Sequence, residues 1–272
     1  MAADGNGEDT MKDTLKAKLK RGEPVFGTFA FMASPDIVEI MGYAGFDYVI
    51  IDLEHSPKNW SDVANMIRAA EVRGMAALVR VRENAEKSIL EVLELGAAGI
   101  VVPFIRSADD VRKAVKATNY APKGERGTCT LTRAARYGGL RSEYLAHCLR
   151  QNEDLVIIGQ IEDRAGVDQI DAIVSCDPGL DALIVGRSDL ASSLGEPGQV
   201  EAPAVIAATE RVVEAAKRKG VAAGIGIYAP AEAGRWLDAG CSLFFYSADT
   251  ALLLNAAASA TKDFQQAVAQ RG

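Results

Sequence analysis

Apolar and polar positions fall into repeating blocks along this chain. Short apolar runs occupy residues 25–31 (VFGTFAF), 48–52 (YVIID), 76–81, 99–103, 155–161, 182–185, 222–227 and 242–246. The runs at 48–52 and 182–185 are almost continuously apolar, as strands are when helices cover both faces of a sheet. Between the runs, apolar residues recur at helical spacing. They predict helices over 10–21, from Ser34-Pro35 to Gly45, and over 60–73, 85–95, 107–118, 140–150, 164–174, 190–194, 203–218, 229–238 and 250–269. Ser34 is placed to cap a helix that Pro35 begins, and Pro203 stands in a first turn where its missing N–H costs nothing. The approaches AGFDYVII, LGAAGIVV, PGLDALIV and AGCSLFF each carry a glycine just before an apolar run, which suits a tight turn out of a helix.

Eight strands, each followed by a helical segment, fit a closed (β/α)8 TIM barrel of the α/β class. An extra N-terminal helix and a long C-terminal helix complete it. An open, doubly wound sheet is the alternative. No Gly-x-Gly-x-x-Gly follows the first strand, and Gly224 and Gly226 lie within a strand, so a dinucleotide site is disfavoured. The polar, acidic stretch 1–8 reads as a disordered tail, leaving 9–272 as one barrel domain.

Composition narrows the function. The net charge is -7 among 272 residues, which argues against a nucleic-acid partner. No apolar run is long enough to span a bilayer, and the N-terminus resembles neither a signal nor a transit peptide. Cys129, Cys148, Cys176 and Cys241 are far apart with no CxxC pair. They read as free thiols of a cytoplasmic protein, with Cys129 the most reachable.

Barrel enzymes carry their chemistry at the C-terminal ends of strands. In the stretch 155–189, Gln160 and Glu162 share a strand face, because side chains alternate. If this run and 182–185 are neighbouring parallel strands, Glu162 and Asp189 converge. Two converging carboxylates call for a divalent, oxygen-preferring cation. The plainer alternative has Glu162 capping a strand and Asp189 capping a helix. The second strand ends in Asp52-Leu53-Glu54-His55. His55 is one of only two histidines and a candidate proton-transfer group, with Asp52 placed to hold its imidazole in one tautomer. A polar strand end in water is the alternative. His147 lies in a helix among apolar residues and reads as structural. Arg80 sits in a strand and needs an anion, either a substrate oxygen or Asp52, Glu54 or Glu162; Arg82 lies further out. Gly186-Arg187-Ser188-Asp189 precedes a short helix whose free N–H groups suit a carboxylate. The basic loop 126–136 (RGTCTLTRAAR) reads as a mobile cover, an oligomer contact or a plain solvated loop. Strand eight ends in Ser247 and Asp249.

Taken together, AGFDYVIIDLEH, ALVRV, YAPKGERG, IGQIED and LIVGRSDLASSLG resemble the HpcH/HpaI aldolases, the metal-dependent class II pyruvate aldolases, over about residues 24–256. The resemblance implies cleavage of a 4-hydroxy-2-oxo acid to pyruvate, or a related 2-oxo acid, and an aldehyde. It matches Glu162 and Asp189 to ligands of Mg2+, Mn2+ or Co2+, His55 to a histidine relaying protons through a water, and Asp52 to the acid beside it. Arg80 matches the arginine that steadies the keto or enolate oxygen, and Gln160 the glutamine near metal and substrate. Gly186, Arg187 and Ser188, at the helix start suited to a carboxylate, are read with Gln160 as substrate-binding residues. A homohexamer with exchanged final helices is also implied. One departure stands out: family members commonly have Gly-Pro-x-Asp where this chain has Gly186-Arg187-Ser188-Asp189. Arg187 is placed to admit a second carboxylate or to point to solvent. That keeps a second expectation open, a citrate-synthase-like transferase condensing acetyl-CoA with oxaloacetate, with Arg133, Arg136 and Arg187 at a CoA entry. A barrel that only binds a ligand is the third, and the polar strand ends argue against it.

Overall fold

The strand side chains sort into two sets, and this sorting builds the fold. The computed structural model describes residues 14–271. Strands β1 (Val25–Ala30), β2 (Tyr48–Asp52), β3 (Ala76–Arg80), β4 (Gly99–Val102), β5 (Val156–Ile161), β6 (Ala182–Val185), β7 (Ala222–Ile227) and β8 (Cys241–Ala248) form a closed parallel barrel in chain order. Val25, Phe29, Tyr48, Ile50, Leu78, Val101, Val156, Ile158, Ile184 and Leu243 fill its interior. The alternate residues, among them Val49, Ile51, Val79, Ile100, Ile157, Leu183 and Ile225, face the surrounding helices.

The helices are α1 (Leu15–Lys20), α2 (Pro35–Tyr43), α3 (Trp60–Val72), α4 (Glu86–Glu94), α5 (Ala108–Thr118), α6 (Tyr144–Asp154), α7 (Arg164–Asp168), α8 (Ile170–Val174), α9 (Arg187–Ser193), α10 (Pro203–Lys219), α11 (Ala233–Ala239) and α12 (Asp249–Ala269). Ser34, Asn59, Ser107 and Asp163 cap α2, α3, α5 and α7 by accepting a backbone N–H three residues on. Helix α1 plugs the N-terminal end of the barrel through Leu15 and Leu19. Lys16 ties it there by donating to the Leu155 carbonyl at 2.7 Å and pairing with Asp181 at 3.0 Å.

Several boundaries differ from the sequence expectation. The helix expected over 164–174 breaks at Gln169 (φ -96°, ψ 9°), which lets Val167, Ile170, Ile173 and Val174 all reach the core. The helix expected from 140 begins at Tyr144. Before it, Arg136 and Tyr137 take left-handed φ values of 52° and 54°, and two short 3-10 turns lead in. The helix expected over 190–194 starts at Arg187, directly after β6. The stretch from 229 opens as a 3-10 turn, Pro230–Glu232, and becomes α-helical at Ala233. The tail expected over 1–8 and the first helix's expected start at 10 lie outside the described residues.

Helix α12 is unlike the others. Only Asp249 of it is buried, while Leu254 and Phe264 are 68% and 69% exposed. It follows β8, yet it does not pack along the barrel, and Phe26 on the outward side of β1 stays 36% exposed. No described helix is long and apolar enough to cross a membrane.

Candidate active site

The parity that fills the barrel interior also carries polar side chains to its C-terminal mouth. Two residues beyond Ile50 comes Asp52, two beyond Leu78 comes Arg80, and two and four beyond Ile158 come Gln160 and Glu162. β5 and β6 pair with Gln160 opposite Ile184, so Glu162 and the β6–α9 turn lie side by side. All four polar residues are nearly inaccessible.

Asp52 and Arg80 face each other across the β2–β3 ladder. Arg80 Nε donates to Asp52 Oδ1 at 2.6 Å, Nη1 lies 3.1 Å from Glu54 Oε2, and the guanidinium covers the Phe29 ring at 4.8 Å. The Glu54 contact is an ion pair off the line of a hydrogen bond, so that oxygen has no hydrogen-bond partner among the described residues. Burial raises the Glu54 carboxyl above its ordinary range, with Arg80 and His55 opposing.

The orienting carboxylate for His55 differs from the sequence reading. Asp52 Oδ2 accepts the backbone N–H of His55 at 3.0 Å and Oδ1 that of Glu54 at 3.2 Å, so Asp52 shapes the turn rather than holding the imidazole. The carboxylate near the ring belongs to Glu54, whose Oε2 is 3.9 Å from His55 Nε2. The imidazole is half exposed at the mouth, where proton exchange with water is open to it.

Glu162 is 1% exposed. It accepts the Phe104 backbone N–H at 2.8 Å and a very short hydrogen bond from Gln160 Nε2. Phe104 reaches it by taking a left-handed φ of 51°. Burial pushes the Glu162 carboxyl up to about 7, aided by the charges of Glu54 and Asp189 and opposed by the two hydrogen bonds. Gln160 Oε1 is buried without a partner among the described residues. Gly186 closes against this pair: a Cβ there would lie 2.9 Å from Glu162 Oε2 and 3.1 Å from Gln160 Nε2. Asp189 stands in the first turn of α9, whose cap is Gly186, and lines the same cavity.

Two further residues brace the mouth, and sequence reasoning gave neither a role. Lys58 is buried and donates to the carbonyls of Phe31 and Asp52, each at 2.9 Å, tying β1 to β2; burial lowers its pKa. Asp249 accepts the N–H groups of Phe31 and Met32 at 2.9 and 2.8 Å, tying β8 to β1. Lys58 had no strand parity to mark it, and Phe104 contributes only a backbone group. Neither leaves a signature in a single sequence.

Arg187 departs from expectation, and of the three readings of the basic loop the cover is the one the structure removes. Arg187 does not point to solvent, and its two terminal nitrogens are already engaged, while its buried Nε has no hydrogen-bond partner among the described residues. The side chain is buried against Glu201 and Glu232, donates to the Gly226 carbonyl at 2.7 Å, and stacks on Tyr228. The loop 126–136 does not cover the mouth. Arg133 binds Glu71 and the Leu95 carbonyl, and Arg126 binds Glu94. Arg133 and Arg136 line a groove of about 840 Å3 at the opposite, N-terminal end of the barrel, beside Asp47, Ala76 and Val156. That groove holds none of the strand-end residues.

The mouth encloses about 580 Å3, lined by His55, Arg80, Gln160, Gly186, Ser188 and Asp189 on one side. An oxygen-preferring divalent cation fits this donor set. Glu162 is a buried carboxylate held near neutrality, Gln160 keeps an unpartnered oxygen beside it, and Gly186 leaves the space open. Among the described residues, no three His, Cys, Asp or Glu side chains converge as a closed metal cage. A cation here would take two carboxylates from the chain, Glu162 and Asp189, and leave positions for substrate and water.

The family model described as HpcH/HpaI aldolase/citrate lyase matches residues 26–256. A hydroxypyruvate/pyruvate aldolase of Paraburkholderia phytofirmans is 36% identical over 260 residues, 93% of this chain and 98% of that protein. Among solved structures, an HpcH/HpaI aldolase/citrate lyase family protein from Burkholderia cenocepacia superposes with a TM-score of 0.86 at 35% identity, over 92% of this chain and 98% of the other. The citrate synthase SbnG superposes with a TM-score of 0.85 at 29% identity, over 93% and 98%.

Proposed function

This chain belongs to the HpcH/HpaI aldolase/citrate lyase family, and from that premise we propose that it is a divalent-metal-dependent class II aldolase. It reversibly cleaves a 4-hydroxy-2-oxo acid to pyruvate, or a related 2-oxo acid, and an aldehyde. The observation that carries the reading is Glu162: a carboxylate buried and raised to about 7, packed against Gly186 and near the charge of Asp189, beneath a mouth lined by Gly186, Asp189, His55 and Arg80. Such a group is costly unless a cation shares it.

Glu162 and Asp189 would hold Mg2+, Mn2+ or Co2+, which when bound acts as a Lewis acid on the 2-oxo acid. The chain's own residues do the rest. Arg80, fixed by Asp52 and Glu54, places a rigid positive fork where negative charge grows on the keto oxygen. Gln160 keeps Glu162 in place and offers its free oxygen to the donor end of the site. Gly186 and Ser188 open the start of α9 to the substrate carboxylate. In cleavage, the 4-hydroxyl loses its proton towards His55, directly or through a water, and the bond between C3 and C4 breaks. The aldehyde leaves, and C3 takes up a proton to complete pyruvate. Glu54 steadies the imidazole as it becomes charged.

The exposed α12 and the uncovered Phe26 support a homo-oligomer in which a second copy meets this helix; a hexamer is the form the family suggests. The four free thiols suit a reducing cytoplasm.

The likeness to SbnG keeps the condensing transferase as the second reading. Against it, Arg133 and Arg136, expected at a CoA entry, line the groove at the other end of the barrel. The test is pyruvate release from a panel of 4-hydroxy-2-oxo acids, with EDTA and then with added Mg2+, Mn2+ or Co2+. Release that EDTA abolishes and metal restores is expected. No release from any compound, together with free thiol from acetyl-CoA and oxaloacetate, would replace the aldolase by the transferase.

A further inference from the structure

The cavity continues past the carboxylates. Its far wall runs from Ser188 and Tyr228 through Ser247 and Ala248 to Ala251 and Asn255 at the start of α12. If Gln160, Arg80 and Asp189 hold the 2-oxo acid, this wall meets the carbon chain of the aldehyde. Its chemistry therefore sets which aldehyde is used.

Only two arginines line the cavity among the described residues, and both are engaged by carboxylates. Arg80 is bound to Asp52 and Glu54. Arg187, 2% exposed in its side chain, lies between Glu201 and Glu232 and beneath the Tyr228 ring at 4.9 Å. Glu232 completes a clamp. One of its oxygens takes Arg187 at 3.2 Å, and the other accepts the N–H groups of Tyr228 at 3.2 Å and Ala229 at 2.9 Å. The clamp brings the Tyr228 hydroxyl within 3.5 Å of Ser188 Oγ, so two hydroxyls face the cavity together.

We propose that the acceptor is an uncharged, hydroxylated short-chain aldehyde recognised by the Tyr228 and Ser188 hydroxyls, and that Arg187 positions Tyr228 instead of receiving a second carboxylate. The inference rests on the aldolase reading and extends it to the substrate class. Among the described residues, a second anionic group would find no uncommitted cation in this wall, because Glu201 and Glu232 already pair with Arg187. Enclosing a carboxylate without a cation to pair with it is costly, and that cost discriminates against an acidic aldehyde. A hydroxyl pair can donate and accept at once, so it meets an aldehyde hydroxyl on equal terms and is left unsatisfied by an alkyl group. The step itself balances. Pyruvate C3 loses a proton and bonds to the aldehyde carbon, and the former carbonyl oxygen gains a proton as the 4-hydroxyl. No oxidant or reductant is required.

The test uses the full chain with Mn2+ and pyruvate. Condensation rates are compared for glycolaldehyde, acetaldehyde, glyoxylate and succinic semialdehyde, and exchange of the pyruvate methyl protons is followed in D2O by NMR. The expected kcat/KM for glycolaldehyde exceeds that for either acid by about tenfold or more, the scale on which a few well-placed polar groups discriminate. Tyr228→Phe should lower the preference for glycolaldehyde over acetaldehyde by about tenfold. Arg187→Met and Arg187→Lys should shift the same ratio in the same direction. A preference for the acids, or Arg187 variants that lose only the acids, would overturn the proposal while leaving the aldolase standing. Absence of methyl-proton exchange with any metal would overturn the aldolase reading and this inference with it.

Discussion

Asp52 and Arg80 are register partners on adjacent strands, and the 2.6 Å contact between Arg80 Nε and Asp52 Oδ1 joins the two in a buried ion pair. Asp52 also accepts the N–H groups of Glu54 and His55, so this pair sets the turn that carries the imidazole. Arg80→Met leaves Asp52 buried and unpaired, and a loss of about 3–5 kcal/mol in stability is expected. Arg80→Lys keeps a charge but cannot bridge Asp52 and Glu54 as a planar fork. It should keep most of the stability and lose activity by a factor of ten or more, on the order of one strong hydrogen bond. Urea unfolding beside steady-state kinetics separates the two effects; equal losses in both variants would remove the geometric role.

Glu162 links pH to metal binding. An unperturbed glutamate titrates near 4.3, whereas burial holds Glu162 up to about 7. Between these values the folded metal-free protein binds more protons than the unfolded chain. Its stability therefore falls as pH rises from about 4 to about 7, then levels off. A cation at Glu162 needs the ionised carboxylate, so its binding releases a proton below pH 7. Apparent affinity should strengthen by up to about tenfold per pH unit there. Calorimetry at pH 6 in buffers of different ionisation enthalpy reads the proton directly. No proton released would take Glu162 out of the ligand set.

Gly186 has no room for a side chain. An alanine Cβ would press on Glu162 and Gln160 at about the distance of a clash. Gly186→Ala should cost about 1–3 kcal/mol through overpacking, and it should weaken Mn2+ binding at least tenfold if Glu162 must move by a fraction of an ångström to make room. A variant that melts lower yet binds Mn2+ normally would show that the strain relaxes elsewhere.

His55 is expected to move protons without holding the metal. His55→Ala should slow cleavage by roughly 10²–10⁴-fold, with Mn2+ affinity close to that of the parent. Glu54→Gln should give a smaller loss in kcat, because it removes the carboxylate 3.9 Å from Nε2 that steadies the imidazole as it becomes charged. Equal loss of metal from His55→Ala would sink the assignment.

The exposed face of α12 is the proposed contact with a second copy. Leu254→Glu together with Phe264→Glu places charge where apolar side chains stand 68% and 69% exposed. A smaller species in light scattering is expected, with the barrel's far-UV spectrum retained. An unchanged mass would show that this face takes no part in assembly.

The amino-acid sequence by itself determined the barrel, because its evidence is periodic. Apolar runs of strand length and helices between them leave few ways to bury both strand faces. The same alternation placed Asp52, Arg80, Gln160 and Glu162 on the inward side, since each lies an even number of residues beyond an interior apolar residue. Motif resemblance supplied the family. Tertiary structure alone decided what those residues touch. Asp52 folds back on its own turn, so Glu54 rather than Asp52 lies beside His55. Arg187 is claimed by Glu201 from the α9–α10 loop and by Glu232 from the β7–α11 connection, two separate parts of the chain. The basic loop runs to the far end of the barrel because Glu71 and Glu94 wait there. Periodicity reports which way a side chain points. Contacts between loops depend on where separate parts of the chain arrive, and no local pattern encodes that.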